Sequence, residues 1–348
     1  LQAAWRSGGD HEEVTTMRDP LVFLLDAAIR ECPDVDSWTS GVLEASRGAI
    51  DAGLGVAARL VRRSPRDLEV VWARGTTSTL PKLVNEWLDA ARGLGAYPHM
   101  LDAHRRACTL IGGAEVGERY PELTKLMAKG GAADLLGVFV ADGEADALQL
   151  LAAMPTRVAL TRRQVANVKR LGVHLTAGFR AIGKEVAAVF SVTGDVLHAD
   201  ERAKEARILA VLREHVTRID RARARALRGK EAFSDLLEVW QGLVDGELTL
   251  LDRTDTDGKR LVVAKRNAPK VAAPLPLDAR EKQVVMLAGQ GYSTANIAYV
   301  LGMSPALVTS LVDGALPKLG LGVRAELSPL VEEWLAPPPK ARAGRPKK

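Results

Sequence analysis

Residues 277–320 read LDAREKQVVMLAGQGYSTANIAYVLGMSPALVTSLVDGALPKLG, and Arg324 follows shortly after. An apolar segment containing Val284, Val285 and Leu287 is followed by Gly291, by a second apolar segment with Ile297, Ala298 and Leu301, and by a third that starts at Ser304. The order is helix, turn and second helix, with serines at the positions that open helices. Nothing else in the 348 residues points so directly at a molecular partner.

Over residues 277 to 327 this pattern resembles the DNA-binding domain of LuxR/GerE-type regulators. Leu277, Val284, Val285 and Leu287 fall where that family places the core of its first helix, and Arg280-Glu281 matches its charged pair. Gly291 matches the glycine that ends the helix in a left-handed turn. The resemblance implies that Ser293 caps the next helix, that Ile297, Ala298 and Leu301 pack it, and that Ser304 caps the recognition helix. Lys318-Leu319-Gly320 would close that helix, and Arg324 fits the arginine after it. An all-α helix-turn-helix domain is therefore expected over 277–336. Its last helix, from 324 to 335, would offer a homodimer surface through Ala325, Leu327, Val331 and Leu335.

A helix that reads the major groove needs donors for base edges and positive groups for phosphates. Where the family usually has Thr-Val-Lys and then His, this chain has Leu307-Val308-Thr309-Ser310-Leu311. From Pro305 to Pro317 there is no basic residue, and Asp313 adds a negative charge. Gly314 and Pro317 also fall inside the expected helix, where a regular interior position is disfavoured by about 1 and about 3 kcal/mol relative to Ala. Between 274 and 336, Arg280, Lys282, Lys318 and Arg324 face six acids, so the segment is net negative by two. The remaining DNA-contact candidates are Asn296, Ser304, Thr309, Ser310 and Lys318. Thr309 and Ser310 can equally be solvated helix positions.

Positive charge gathers elsewhere. The net charge of +5 equals the charge of the last twelve residues, where Lys340, Arg342, Arg345, Lys347 and Lys348 stand without an acid. Such a tail suits a polyanion. Within it, Gly344-Arg345-Pro346 resembles an AT-hook core, which lies in the narrow minor groove of A·T-rich DNA. Ala343 stands where that motif has a second arginine, and Arg342 is displaced by one residue. The competing account of the segment 337–348 is a disordered basic end that attracts DNA without sequence preference through Arg342, Arg345 and Lys347.

Upstream, apolar spacing and turn residues give helices near 20–29 and 35–52, a hairpin of 56–61 with 68–73, and helices within 80–111. A second hairpin pairs 135–141 with 147–153, and a long helix starts at Thr161 with an apolar stripe of Val165, Val168, Leu171, Leu175, Phe179 and Ile182. This order resembles a GAF-like α/β sensor domain over 15–183. Trp72, Trp87, Tyr97 and Phe139 are its candidate ligand-lining residues, with core packing as the alternative for each. Residues 184–268 read as a small α/β lobe without a family signature: a strand pair, a long helix from Asp200 to about Leu227, a helix over 231–243, and a hairpin around Asp257-Gly258. The prolines of 269–276 mark a linker.

Other chemistry is poorly represented. Cys32 and Cys108 form neither a metal spacing nor a disulfide framework, and His99 and His104 have no carboxylate placed to orient them. The arginines from Arg218 to Arg228 are interleaved with acids, as on a solvated helix, and the Asp252–Gly258 stretch reads as a hairpin turn instead of a calcium loop. No nucleophile elbow or phosphate-binding glycine loop is present. These readings give a fold of α+β sensor, small α/β lobe and all-α helix-turn-helix. They predict a cytoplasmic transcriptional regulator, not an enzyme, with no cofactor, no metal and no membrane association. Its partners would be duplex DNA, an unknown small-molecule or protein signal, and a second copy of itself. The rival function is a degenerate helix-turn-helix used for protein contact or dimerisation, with DNA held only through the tail.

Overall fold

A computed structural model describes residues 20–63, 68–96, 111–112, 118–141, 146–158, 161–227, 243–244, 248–266 and 277–335. Two five-stranded antiparallel sheets dominate it. The first comprises β1 (Val56–Arg63), β2 (Leu68–Gly75), β3 (Ile111–Gly112), β4 (Asp134–Ala141) and β5 (Asp146–Met154), in the order β2-β1-β5-β4-β3. The second comprises β6 (Val186–Ser191), β7 (Val196–Ala199), β8 (Leu243–Val244), β9 (Leu248–Thr254) and β10 (Arg260–Arg266), in the order β7-β6-β10-β9-β8. Numbered from its own first strand, each sheet has the same order. The small lobe, which carries no recognisable signature, thus repeats the strand order of the larger one.

Local chemistry accounts for the helices around the first sheet. Asp34 accepts from the Ser37 amide at 2.7 Å and opens α2 (Val35–Ala49), while α1 (Pro20–Ala28) starts on a proline, whose missing N–H would have no helical partner anyway. α3 is Leu80–Gly93, and α4 (Pro121–Lys129) starts on a second proline in a stretch where the sequence reading placed no helix. α5 (Arg162–Ala181) begins in a reciprocal cap between Thr161 and Gln164. Val168, Leu171, Leu175 and Phe179 of its expected stripe are buried.

β1 is buried on both faces, which is why its sequence Val56-Ala-Ala-Arg59-Leu-Val61 barely alternates. Val56, Ala58 and Leu60 face one apolar cluster with α1, α2, α5 and the second sheet. Ala57 and Val61 face another with α3, α4 and the C-terminal helices. α1 and α5 are held in close approach. Gly178 of α5 lies where a Cβ would stand 1.8 Å from the Ala28 carbonyl oxygen, and the Trp38 indole N–H donates to that oxygen at 3.0 Å.

The second sheet is tied to the first through the end of α1. Glu31 N–H donates to Asp252 O at 2.8 Å, and Asp252 N–H donates to Ile29 O at 2.9 Å. Around that junction Arg223 bridges Asp26 and Asp252, and Arg260 bridges Asp220 and Asp252. Burial raises the Asp26 carboxyl above its ordinary pKa despite the nearby Arg223 guanidinium. The long helix α6 spans Ala206–Leu227; residues 200–205, which the sequence reading gave to that helix, form a turn in which Asp200 accepts from the Ala203 amide at 2.8 Å. The expected helix over 231–243 lies outside the described residues up to 242, and Leu243 belongs to β8.

Past the stretch 267–276, which lies outside the described residues, the chain forms α7 (Ala279–Gly289), α8 (Thr294–Leu301), α9 (Pro305–Lys318), a short 3-10 turn at Arg324–Glu326 and α10 (Leu327–Leu335). Their apolar residues are continuous with the outer layer of the first sheet in one cluster, through Val173 and Ala177 of α5. Among the described residues, no helix is long and apolar enough to cross a membrane, and no group of three or more His, Cys, Asp or Glu could hold a metal.

Candidate nucleic-acid interface

Each of α7, α8 and α9 begins with a side chain that accepts a leading N–H. Asp278 accepts from the Glu281 amide at 2.8 Å while Glu281 accepts from the Asp278 amide at 3.0 Å. Ser293 Oγ accepts from the Asn296 amide and Ser304 Oγ from the Leu307 amide, both at 3.2 Å. Between α8 and α9, Gly302 takes φ of 63°, the left-handed turn that lets the second helix swing across the first. Arg324 fixes the start of α8 from below, donating to Thr294 Oγ1 at 2.7 Å and to the Tyr292 carbonyl at 2.6 Å. It is a structural arginine.

α9 presents Leu307, Thr309, Ser310 and Asp313 outward, while Val308, Val312, Ala315 and Leu316 are buried beneath. Asn296 is exposed on α8. Of the expected contact residues, Ser304 uses its hydroxyl as a helix cap, and Thr309 donates back to the Pro305 carbonyl at 3.1 Å. Lys318 closes a two-oxygen ion pair with the nearly buried Glu281, at 2.6 and 2.8 Å. Gly314 sits over that pair, with Glu281 Oε1 3.8 Å from its notional Cβ, and Pro317 falls in the last turn, where the missing N–H and ring clash affect only one helical bond. The helix therefore continues through both residues to Lys318. Arg342, Arg345 and Lys347 lie outside the described residues.

The proposed dimer surface on the last helix needs correction. Leu327 is 0% exposed and Val331 1%, and both pack within the same chain. Gly289 of α7 allows this, since a Cβ there would meet Val331 at 2.4 Å and the Leu327 carbonyl oxygen at 2.7 Å. Two of the four expected interface residues are thus taken by the chain's own core, while Ala325 stays exposed.

Of the four aromatic candidates, Trp72 and Trp87 are placed on opposite sides of the first sheet. Trp72, on β2, packs toward the cluster of α1, α2 and α5, with the Arg74 guanidinium 4.9 Å from its ring centre. Trp87, on α3, is buried on the opposite side of the sheet. Tyr97 lies outside the described residues, and Phe139 is paired in register with Gln149 on β5.

On the α3 side of the sheet the structure places a polar group that sequence reasoning missed. Arg59 is 1% exposed, and its Nε donates to Gln149 Oε1 at 2.7 Å and its Nη1 to the Val84 carbonyl at 2.9 Å. Nearby on α3, Asn85 Oδ1 and Trp87 Nε1 are buried without a hydrogen-bond partner among the described residues. A charged residue in the otherwise apolar run of β1 was the available signal.

A second unforeseen pair joins α5 to α8. His174 of α5 is fully buried, its Nε2 is 3.1 Å from the Tyr299 hydroxyl of α8, and the two rings meet edge to face. Burial pushes its imidazole pKa down from 6.5 to about 3, so it is neutral at neutral pH.

No protein-family model matches this chain, and a search of curated proteins returns no match.

Proposed function

We propose that the protein is a DNA-binding transcriptional regulator of the LuxR type, in which an α+β sensor region acts on a C-terminal helix-turn-helix. The observation that carries this reading is the α8–α9 pair: serine caps on both helices, a left-handed glycine between them, and Thr309 and Ser310 exposed on the second. The His174–Tyr299 contact supports a route by which a change in α5 reaches α8. Because Lys318 is held by Glu281, affinity depends on the basic residues of the tail, and base discrimination on Thr309, Ser310 and Asn296. The test is retardation of genomic duplex fragments by the full chain across a salt series, repeated without Pro337–Lys348. Weakened but sequence-selective binding by the truncated chain is expected; absence of retardation at low salt refutes the reading.

A second reading, protein contact or self-association through the same helices, is favoured by one observation. Leu307 is 38% exposed and Val323 57%, and Lys318 is already paired with Glu281. Loss of all DNA binding on tail removal, together with a molecular mass in solution that falls on Leu307→Ser, would establish it over the first.

A further inference from the structure

We propose that the seam between the second lobe and α7 binds a small anion carrying two or more negative charges. A cavity of about 200 Å³ opens there, lined by Arg202 in the turn before α6, by Arg207 at the start of α6, by Arg266 at the end of β10 and by Arg280 at the start of α7. Glu205 is the one carboxylate among its lining residues, and the buried Leu248 contributes an apolar wall. Four guanidinium groups around so small a space repel one another unless a counter-charge lies between them.

The charges are not all neutralised from within. Arg266 is paired with Asp200, which is itself fixed by the Ala203 amide, so this guanidinium is held in place beside the cavity. Arg202 and Arg207 form no ion pair among the described residues. Arg202 and Arg207 thus bring two positive charges without an ion pair to the cavity, which sets the charge of the ligand. Guanidinium forks match the paired oxygens of phosphates and carboxylates. The volume admits a pyrophosphate or a small di- or tricarboxylate but is below the roughly 300–1,000 Å³ of pockets that enclose drug-sized ligands, and it excludes a duplex.

Position gives the site a consequence that rests on the regulator reading. Arg266 and Arg280 stand at the two ends of the stretch 267–276, so an anion held by both ties the second lobe to the first helix of the C-terminal set.

Titration calorimetry of the full chain with pyrophosphate and with citrate, against sodium chloride of equal ionic strength, tests the binding itself. Saturable binding of either anion is expected, and the preferred one identifies the ligand as phosphate-bearing or carboxylate-bearing. Affinity should fall by about tenfold or more in Arg202→Glu with Arg207→Glu, since two charge-assisted hydrogen-bond donors are replaced by repelling carboxylates. Both side chains are exposed, so the fold is expected to survive, with circular dichroism as the check. No heat beyond the chloride control at millimolar anion, or binding undiminished in a folded double variant, overturns the proposal. Neither outcome involves DNA, so failure here is distinct from failure of the retardation assay.

Discussion

Replacing Gly178 with alanine should separate α1 from α5 and destabilise the helices packed on the first sheet. The added Cβ would lie 1.8 Å from the Ala28 carbonyl oxygen and 3.1 Å from Trp38 Nε1. A carbon and a carbonyl oxygen normally approach to about 3.3 Å, so the seam must open by roughly 1.5 Å. That atom is backbone and cannot rotate away. Overpacking of this kind costs about 3 kcal/mol at the upper end, and weakening the buried Trp38–Ala28 hydrogen bond adds about 1 kcal/mol. The intrinsic helix preference of Ala over Gly returns about 1 kcal/mol, leaving a net loss of about 3 kcal/mol.

Urea unfolding followed by tryptophan fluorescence and circular dichroism measures this. At a slope of about 3 kcal/mol/M the midpoint falls by about 1 M. Gly41→Ala is the matched control, because it also replaces a helical glycine but has no heavy atom within 4 Å of the new Cβ. That variant should gain up to about 1 kcal/mol. A Gly178→Ala midpoint equal to or above that of the unmodified chain would refute the reasoning.

Two further outcomes follow from the C-terminal seam. Above pH 6.5 the His174 imidazole is neutral whether folded or not; below it, only the unfolded chain takes up the proton until the pH reaches about 3. Stability is therefore fully present above 6.5 and lost on acidification at about 1.4 kcal/mol per pH unit, an order-of-magnitude slope. His174→Gln should remove that slope between pH 6.5 and 5, as read from urea midpoints; parallel slopes in the two proteins would count against it. Lys318→Met leaves Glu281, with only 8% of its side chain exposed, without its cation and should cost about 1–3 kcal/mol by the same assay. If Lys318 is a structural residue, DNA retardation by the folded variant at moderate temperature stays unchanged, whereas a marked loss would make it a phosphate contact.

The places where sequence and structure agree are those governed by neighbours in the chain. Thr161 with Gln164, Ser293 with Asn296 and Ser304 with Leu307 are three residues apart, and a cap over that span is settled by local hydrogen bonding. Both hairpins of the first lobe, and the buried stripe of α5, likewise follow from short-range periodicity. The ligand-lining aromatics fared differently. Trp72 and Trp87 are close in sequence, yet β2 and α3 present them to opposite sides of one sheet. Leu327 and Val331 formed a legible apolar stripe, but a stripe does not say whether its cover is another copy or α7.

By itself, then, the sequence determined most of the helices (α4 and the start of α6 apart), their caps, the hairpins, the lack of basic residues from Pro305 to Pro317 and the concentration of positive charge in the last twelve residues. Tertiary structure alone decided that the two sheets share one strand order, because β1 and β5 pair across about ninety residues and local pattern cannot specify a partner so distant. It also decided that Lys318 belongs to Glu281, that His174 meets Tyr299 and that four arginines from separate elements border one cavity. Charge and hydrogen-bonding capacity are written in the chain residue by residue. Which group they meet depends on how the elements pack, and that is set by the burial of apolar surface over the whole molecule.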